Sequence, residues 1–381
     1  MKVLFVTLFP LEDNTSVTIS NYGLLMGLRE FGHEVTILMP HYTSDDSRVC
    51  EYDLSDFTIE RIPGLSFAEC RQAKPLTVLN RISRKWHKEF DFLDFTAQML
   101  SAARNVQLPE SYYDLIISTS DPKTSHVFVQ KLIDNGLQYG RWIQHWGDPL
   151  NGDITRRNCY PDKIVQWYER RMIKDADKVV YVSPFTAEMQ RKAYPDMANK
   201  LFFVPLPCIV TETKDEVTPK QKTQKLRLAY MGDYSSSIRN ILPLYEACKI
   251  MPDVELTIAG ISDLKLQSAE NITVLPRVPH SQAVQIEEES DVSVTICNLR
   301  GTQIPGKLYY SASMQKHLLV LVDGDDPEAI RNYLQQFNRY KVADNNIESI
   351  QSAIRALQET PFVYQCPKKL KPINVVKSII K

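Results

Sequence analysis

The chain has 381 residues, 43% of them hydrophobic and 24% charged, with a formal net charge of −1. That length supports two domains of ordinary size, each with its own core. The near-neutral balance excludes a general nucleic-acid binder, which would be basic overall.

The seven cysteines (Cys50, Cys70, Cys159, Cys208, Cys248, Cys297 and Cys366) are scattered, with no C-x-x-C pair. This pattern predicts reduced thiols and offers no zinc site. Lys2 precedes a short apolar run that breaks at Pro10 and then meets Glu12 and Asp13, which does not read as a signal peptide. No run approaches the roughly 20 apolar residues of a membrane span. The expected compartment is the cytoplasm.

Residues 2–8 read as the first strand. A polar loop through Asn14, Thr15 and Ser16 leads to a helix with Leu24, Leu25, Leu28 and Phe31 on one face, stopped by Gly32. EVTILMP, 34–40, is the second strand. From Arg71 to Lys88 six Arg and Lys residues occur with no acidic one, while Leu79, Ile82, Trp86 and Phe90 interleave at helical spacing. A basic amphipathic helix over 71–90 reads either as a contact with an anionic membrane surface or as a solvated face over an ordinary core stripe. YYDLIISTS, 112–120, is a strand, followed by a helix begun near Pro122 and closed by Asn135 and Gly136. RWIQHWGDP is strand-like, and DKIVQWYERRMIKDA is helical, with Ile164, Val165, Tyr168 and Met172 at helical spacing. KVVYVS, TAEMQRKAY and KLFFVP then read as strand, helix and strand.

Residues 211–225 are polar, Lys-rich and without a periodic apolar face. The expected division is therefore a first domain over 1–205, a linker over 206–225, a second domain over 226–365 and a tail over 366–381 that packs back on the first domain. In the second domain the apolar runs LRLAYM, VELTIA, NITVL, DVSVTIC and LLVLV are each followed within three residues by Gly, Asp, Ser or Arg, where a strand hands over to a helix. Two late helices, DPEAIRNYLQQF and IESIQSAIRALQ, complete it. Fully buried parallel strands read this way, and their carboxyl ends are where α/β sheets bind ligands. The fold class expected is α/β, two doubly wound Rossmann-like domains facing across a cleft.

The candidate chemistry lies at those strand ends. MGDYSSSIRN places Gly232, Ser235 and Arg239 between a strand and a helix, an arrangement that suits an anion or merely caps a helix. RGTQIPGKLYY places Arg300, Gly301 and Thr302 after a central strand. Pro305 stands where a helix would start, with Gly306 and Lys307 in its first turn. Backbone donors and a cation so concentrated favour a diphosphate. In the first domain IQHWGDP puts His145 and Asp148 at a strand end; an imidazole titrating near neutrality beside a carboxylate suits proton transfer, and equally a hydrogen-bonded core position. ISTSDPKTSH adds Ser120 and Asp121 at another strand end, as caps or as ligand contacts.

Taken in order, KVLFVTLFP, GLLMGLREFGHEVTILMP, DLIISTSDPKTSH, WIQHWGDP, ADKVVYVSPFTAEMQRKAYPD, LAYMGD and the run from VLPRVPHSQA to IPGKLYY resemble the bacterial retaining glycosyltransferases of the GT-B fold (family 4-like) that assemble capsule, O-antigen and exopolysaccharide. The resemblance spans most of the chain. It implies a first domain that binds a saccharide or polyprenyl-diphosphate-linked acceptor through residues such as Thr15, Ser16, Ser120 and Asp121. It implies a second domain that binds a nucleotide-diphospho sugar as substrate, without metal or other cofactor. Arg239 and Lys307 would stabilise the departing diphosphate, aided by the helix N-terminus after Ile304, and the base would lie near Arg277 and Val278. His145 matches the residue that meets the transferred sugar. The implied location is cytoplasmic, at the inner face of the membrane. The chain departs from the pattern at LEDNTSVTIS, which lacks the usual glycines, at Asp233, where an Arg is usual, and at Tyr310, where a ribose-binding Glu is usual. Two alternatives stay open: a catalytically silent subunit of the same fold that binds a saccharide or partner enzyme, and a sugar-nucleotide epimerase.

Overall fold

A computed structural model describes residues 1–13, 15–42, 52–64, 66–67, 69, 92–155, 160–209, 225–363 and 366–381. The basic stretch 71–90 and most of the expected linker lie outside the described residues. The chain divides into two compact units, Met1–Pro207 with Pro372–Lys381, and Cys208–Lys371.

The first unit is built on strands β1 (Lys2–Val6), β2 (Glu34–Pro40), β3 (Thr58–Ile62), β4 (Tyr112–Thr119), β5 (Gln138–Trp146), β6 (Lys178–Tyr181) and β7 (Leu201–Phe203), all parallel, in the order β3-β2-β1-β4-β5-β6-β7. Successive β1 residues serve opposite cores: Val3 and Phe5 join one apolar cluster, Leu4 and Val6 the other. Both faces are therefore covered, as an all-parallel sheet requires. Helix α1 (Ser16–Glu30) and the C-terminal helix Pro372–Ile380 cover one face through Leu24, Leu25, Leu28, Val375, Val376 and Ile379. Gly27 permits their approach, since a Cβ there would stand 2.4 Å from the Pro372 carbonyl oxygen and 2.6 Å from a Val376 methyl. Helices α2 (Thr124–Asp134), α3 (Asp162–Ile173) and α4 (Pro184–Ala193) cover the other face.

Two side chains expected in the core are outside it. Phe31 is 39% exposed because α1 ends at Glu30, and Ile164 is 43% exposed because the inward stripe of α3 runs through Val165, Glu169, Met172 and Ile173.

The second unit contains β8 (Leu226–Met231), α5 (Leu242–Lys249), β9 (Val254–Ala259), β10 (Ile272–Leu275), α6 (His280–Glu289), β11 (Val292–Ile296), α7 (Lys307–Tyr310), β12 (His317–Val322), α8 (Pro327–Gln335), β13 (Lys341–Asp344) and α9 (Ile347–Glu359). Its sheet is again all parallel, in the order β10-β9-β8-β11-β12-β13. In each unit the order reverses once, between β1 and β4 and between β8 and β11. Ligands of open α/β sheets bind outside the carboxyl ends of strands at such a reversal.

Candidate functional site

In the second unit the reversal point is framed by the loops after β8 and β11. The first is a tight hairpin: Ser235 and Arg239 exchange backbone hydrogen bonds of 3.2 Å each way, and the Ile238 N–H donates to Ser235 Oγ at 3.1 Å. This turn sends Arg239 back toward the sheet, where its Nε donates to Asn298 Oδ1 at 3.1 Å and a terminal nitrogen reaches the Asp233 carbonyl at 3.4 Å. Asn298 is buried and donates in turn to the Gln303 carbonyl at 3.0 Å, so it ties Arg239 to the second loop. Asp233 pairs with Arg277 at 2.5 Å and accepts the Ile261 N–H at 2.9 Å. Arg277 thus reaches the loop that holds Gly232 and Arg239, and a Cβ on Gly232 would meet only Tyr230 Oη, at 3.9 Å.

Three sequence expectations change here. Lys307 does not project free: its Nζ lies 2.5 Å from Glu287 Oε1 and 3.2 Å from the Met231 carbonyl, with side chains only 12% and 16% exposed in the pair. The helix at Pro305 starts instead at Lys307 and is a single turn that passes into a 3-10 segment, Ser311–Ser313. Four residues carry too little aligned dipole to hold a diphosphate at their N-terminus. Tyr310 is sunk beside Glu287 and Arg239, and burial, with help from the Glu287 charge, raises its phenol well above the usual range. Arg300, Gly301 and Thr302 occupy the loop rim; Gly301 takes φ +82°, and its N–H donates to Asp325 at 3.0 Å.

In the first unit the site residues gather at the ends of β4 and β5. Ser120 is buried and its Oγ accepts the Gly147 N–H at 3.0 Å, joining the two loops. Asp121 pairs with Lys123 at 2.8 Å, and Asp153 reaches the same Nζ at 3.3 Å. Burial opposes the charge on Lys123, but the Asp121, Asp153 and Asp148 carboxylates outweigh it and raise its pKa. Asp94 completes the cluster by accepting from Thr124 at 3.3 Å, its carboxyl held above the usual range by burial. The loop that carries Asp148 is pinned from beneath by Glu169. This fully buried carboxylate accepts Leu150 N–H at 2.6 Å, Asn151 N–H at 3.2 Å and Tyr194 Oη at 2.7 Å.

His145 departs from its expectation. It is 2% exposed, neither ring nitrogen has a hydrogen-bond partner, and burial pushes its pKa down to about 4, so it is neutral rather than poised near neutrality. Its neighbour His126 accepts from or donates to Ser118 Oγ at 2.8 Å and stacks on Trp146. Thr15 and Ser16 stand at the start of α1, where the Thr15 hydroxyl closes a capping box with Thr18. Sequence reasoning missed Lys123, Asp153, Asp94, Glu169 and Glu287. Only DPK and the strand-end position of Lys123 carried a signal for any of them.

No family model and no curated protein matches the chain. Solved structures do match. The glycotransferase of kitacinnamycin aligns at 15% identity over 100% of this chain and 97% of its own, with a TM-score of 0.52. Anabaena HepE, solved with UDP and glucose, aligns at 11% identity over 100% and 94%, with a TM-score of 0.56. A Listeria monocytogenes protein assigned as a UDP-N-acetylglucosamine 2-epimerase aligns at 13% identity over 100% and 94%, with a TM-score of 0.53. With its two parallel Rossmann-like sheets, the chain has the GT-B fold.

Proposed function

We propose that this chain is a retaining, metal-independent glycosyltransferase that moves a sugar from a nucleotide-diphospho donor to a saccharide acceptor in surface polysaccharide assembly. The donor binds the second unit and the acceptor the first. The observation that carries this reading is Arg239. It stands at the reversal point of the second sheet, held by the neutral oxygens of Asn298 and Asp233, so its charge is available to a diphosphate. Lys307, already matched to Glu287, contributes less than its position in the sequence promised. Gly232 gives a phosphate room to approach the backbone, and Arg277 and Val278 border the place of the base. That HepE was solved with UDP and glucose supports a donor of this class.

In the first unit Asp148 serves the transferred sugar by hydrogen bonding, with neutral His145 buried at the same strand end, while Ser120 and Asp121 form the acceptor side. A retaining outcome needs no proton from His145, which suits an imidazole that stays neutral. Binding to the native state raises its stability, so a thermal-shift screen against UDP-, GDP- and dTDP-sugars identifies the donor class. Arg239→Ala should then weaken the responding nucleoside diphosphate by about 10- to 100-fold, the loss expected for a hydrogen bond to a charged group. Unchanged affinity in a folded variant removes Arg239 from the site and the reading with it.

A further inference from the structure

The second unit begins at Cys208 and ends at Lys371, so the chain passes between units once on either side of it. Two cysteines flank these passages. Cys208 is fully buried, Cys366 is half-buried, and their sulfurs lie 3.5 Å apart although the residues are 158 positions apart in sequence. The backbone already holds the two segments side by side, because the Cys208 N–H donates to the Leu370 carbonyl at 2.8 Å. A disulfide needs its sulfurs at about 2.05 Å, an approach that side-chain rotation at the more exposed Cys366 begins to supply. We propose that Cys208 and Cys366 form an oxidisable dithiol whose disulfide closes the second unit into a covalent ring.

The chemistry is thiol–disulfide exchange with a low-molecular-weight disulfide of the glutathione class. The Cys366 thiolate attacks one sulfur of the oxidant, forms a mixed disulfide and expels one thiolate. Cys208 then gives up its proton and attacks the Cys366 sulfur, expelling the second thiolate. Two protein thiols are oxidised and one disulfide is reduced to two thiols. The order follows from access and acidity: the contact with Cys366 and burial both raise the Cys208 thiol above its usual range, so Cys366 is the first nucleophile. The clamp also bears on the donor loop. Ile209, next to Cys208, donates its N–H to the Tyr310 carbonyl at 3.2 Å and accepts the Ser313 hydroxyl.

The test is incubation of the whole chain with oxidised glutathione, followed by unreduced peptide mapping and a thermal melt. The expected result is a cross-linked peptide pair containing Cys208 and Cys366, with a higher melting temperature that dithiothreitol reverses. Cys208→Ser should stop at a glutathione adduct on Cys366. Cys366→Ser should leave Cys208 unmodified and remove the oxidant's effect on melting. Because Cys366 is half-buried, its serine variant keeps the fold testable. Stable glutathionylation of Cys366 in the wild type, or full alkylation of both thiols after oxidation, would overturn the proposal.

Discussion

With its pKa pushed down to about 4 by burial, His145 makes stability depend on pH. The unfolded chain takes up a proton near pH 6.5 and the folded chain does not until about pH 4. His145 therefore contributes stability that is complete above pH 6.5 and is lost as pH falls toward 4. Denaturant unfolding should show the wild type losing about 2 kcal/mol more than His145→Asn between pH 7 and pH 5. Parallel pH profiles would mean that the imidazole is not desolvated as described. The sequence placed His145 and Asp148 correctly at a strand end, because a strand-like run rich in Trp and Ile that stops at Gly-Asp-Pro marks that point. It did not reveal the burial that fixes the imidazole's charge, nor that Lys307 meets Glu287, which comes from another helix twenty residues upstream. Partners chosen by tertiary packing leave no local pattern.

Two glycines make opposite demands on the loops at the second unit's reversal point. A Cβ on Gly260 would lie 2.1 Å from the Gly232 carbonyl oxygen, a backbone atom that moves only with the end of β8. Gly260→Ala should therefore cost about 1–3 kcal/mol in chemical denaturation, the range for forced overpacking. At Gly232 the nearest atom to such a Cβ is Tyr230 Oη at 3.9 Å, so Gly232→Ala should leave folding unchanged yet weaken nucleoside-diphosphate binding. The reverse pattern, a stable Gly260→Ala or an unaffected affinity in Gly232→Ala, would contradict this account of the loop. Central strands were legible because both faces are buried and their sequences are continuously apolar. Strand β3, TIERI, was not: it is an edge strand whose residues are mostly half-exposed and in which three of five are polar, without alternation. The one-turn α7 looked like a full helix because Pro305 imitates a helix start. The segment 71–90 lies outside the described residues.

At the scale of the molecule, the last ten residues belong to the first unit, so the second unit is inserted between two passages of one chain. The sequence marked both domains through their strand grammar and left the return of the C-terminal helix to α1 dependent on Gly27, a helix glycine whose role appears only in the packed structure. Sugar transfer is the activity proposed for this scaffold. The most direct measurement is nucleoside-diphosphate release from the donor that the thermal screen identifies, with saccharide acceptors and EDTA present, followed by NMR of the product. The expected outcome is release that requires acceptor, survives EDTA, falls with Arg239→Ala and gives a glycoside with the donor's anomeric configuration. Donor binding without any release would instead mark a silent binding subunit, and an altered sugar formed without acceptor would mark an epimerase; either result contradicts the claim.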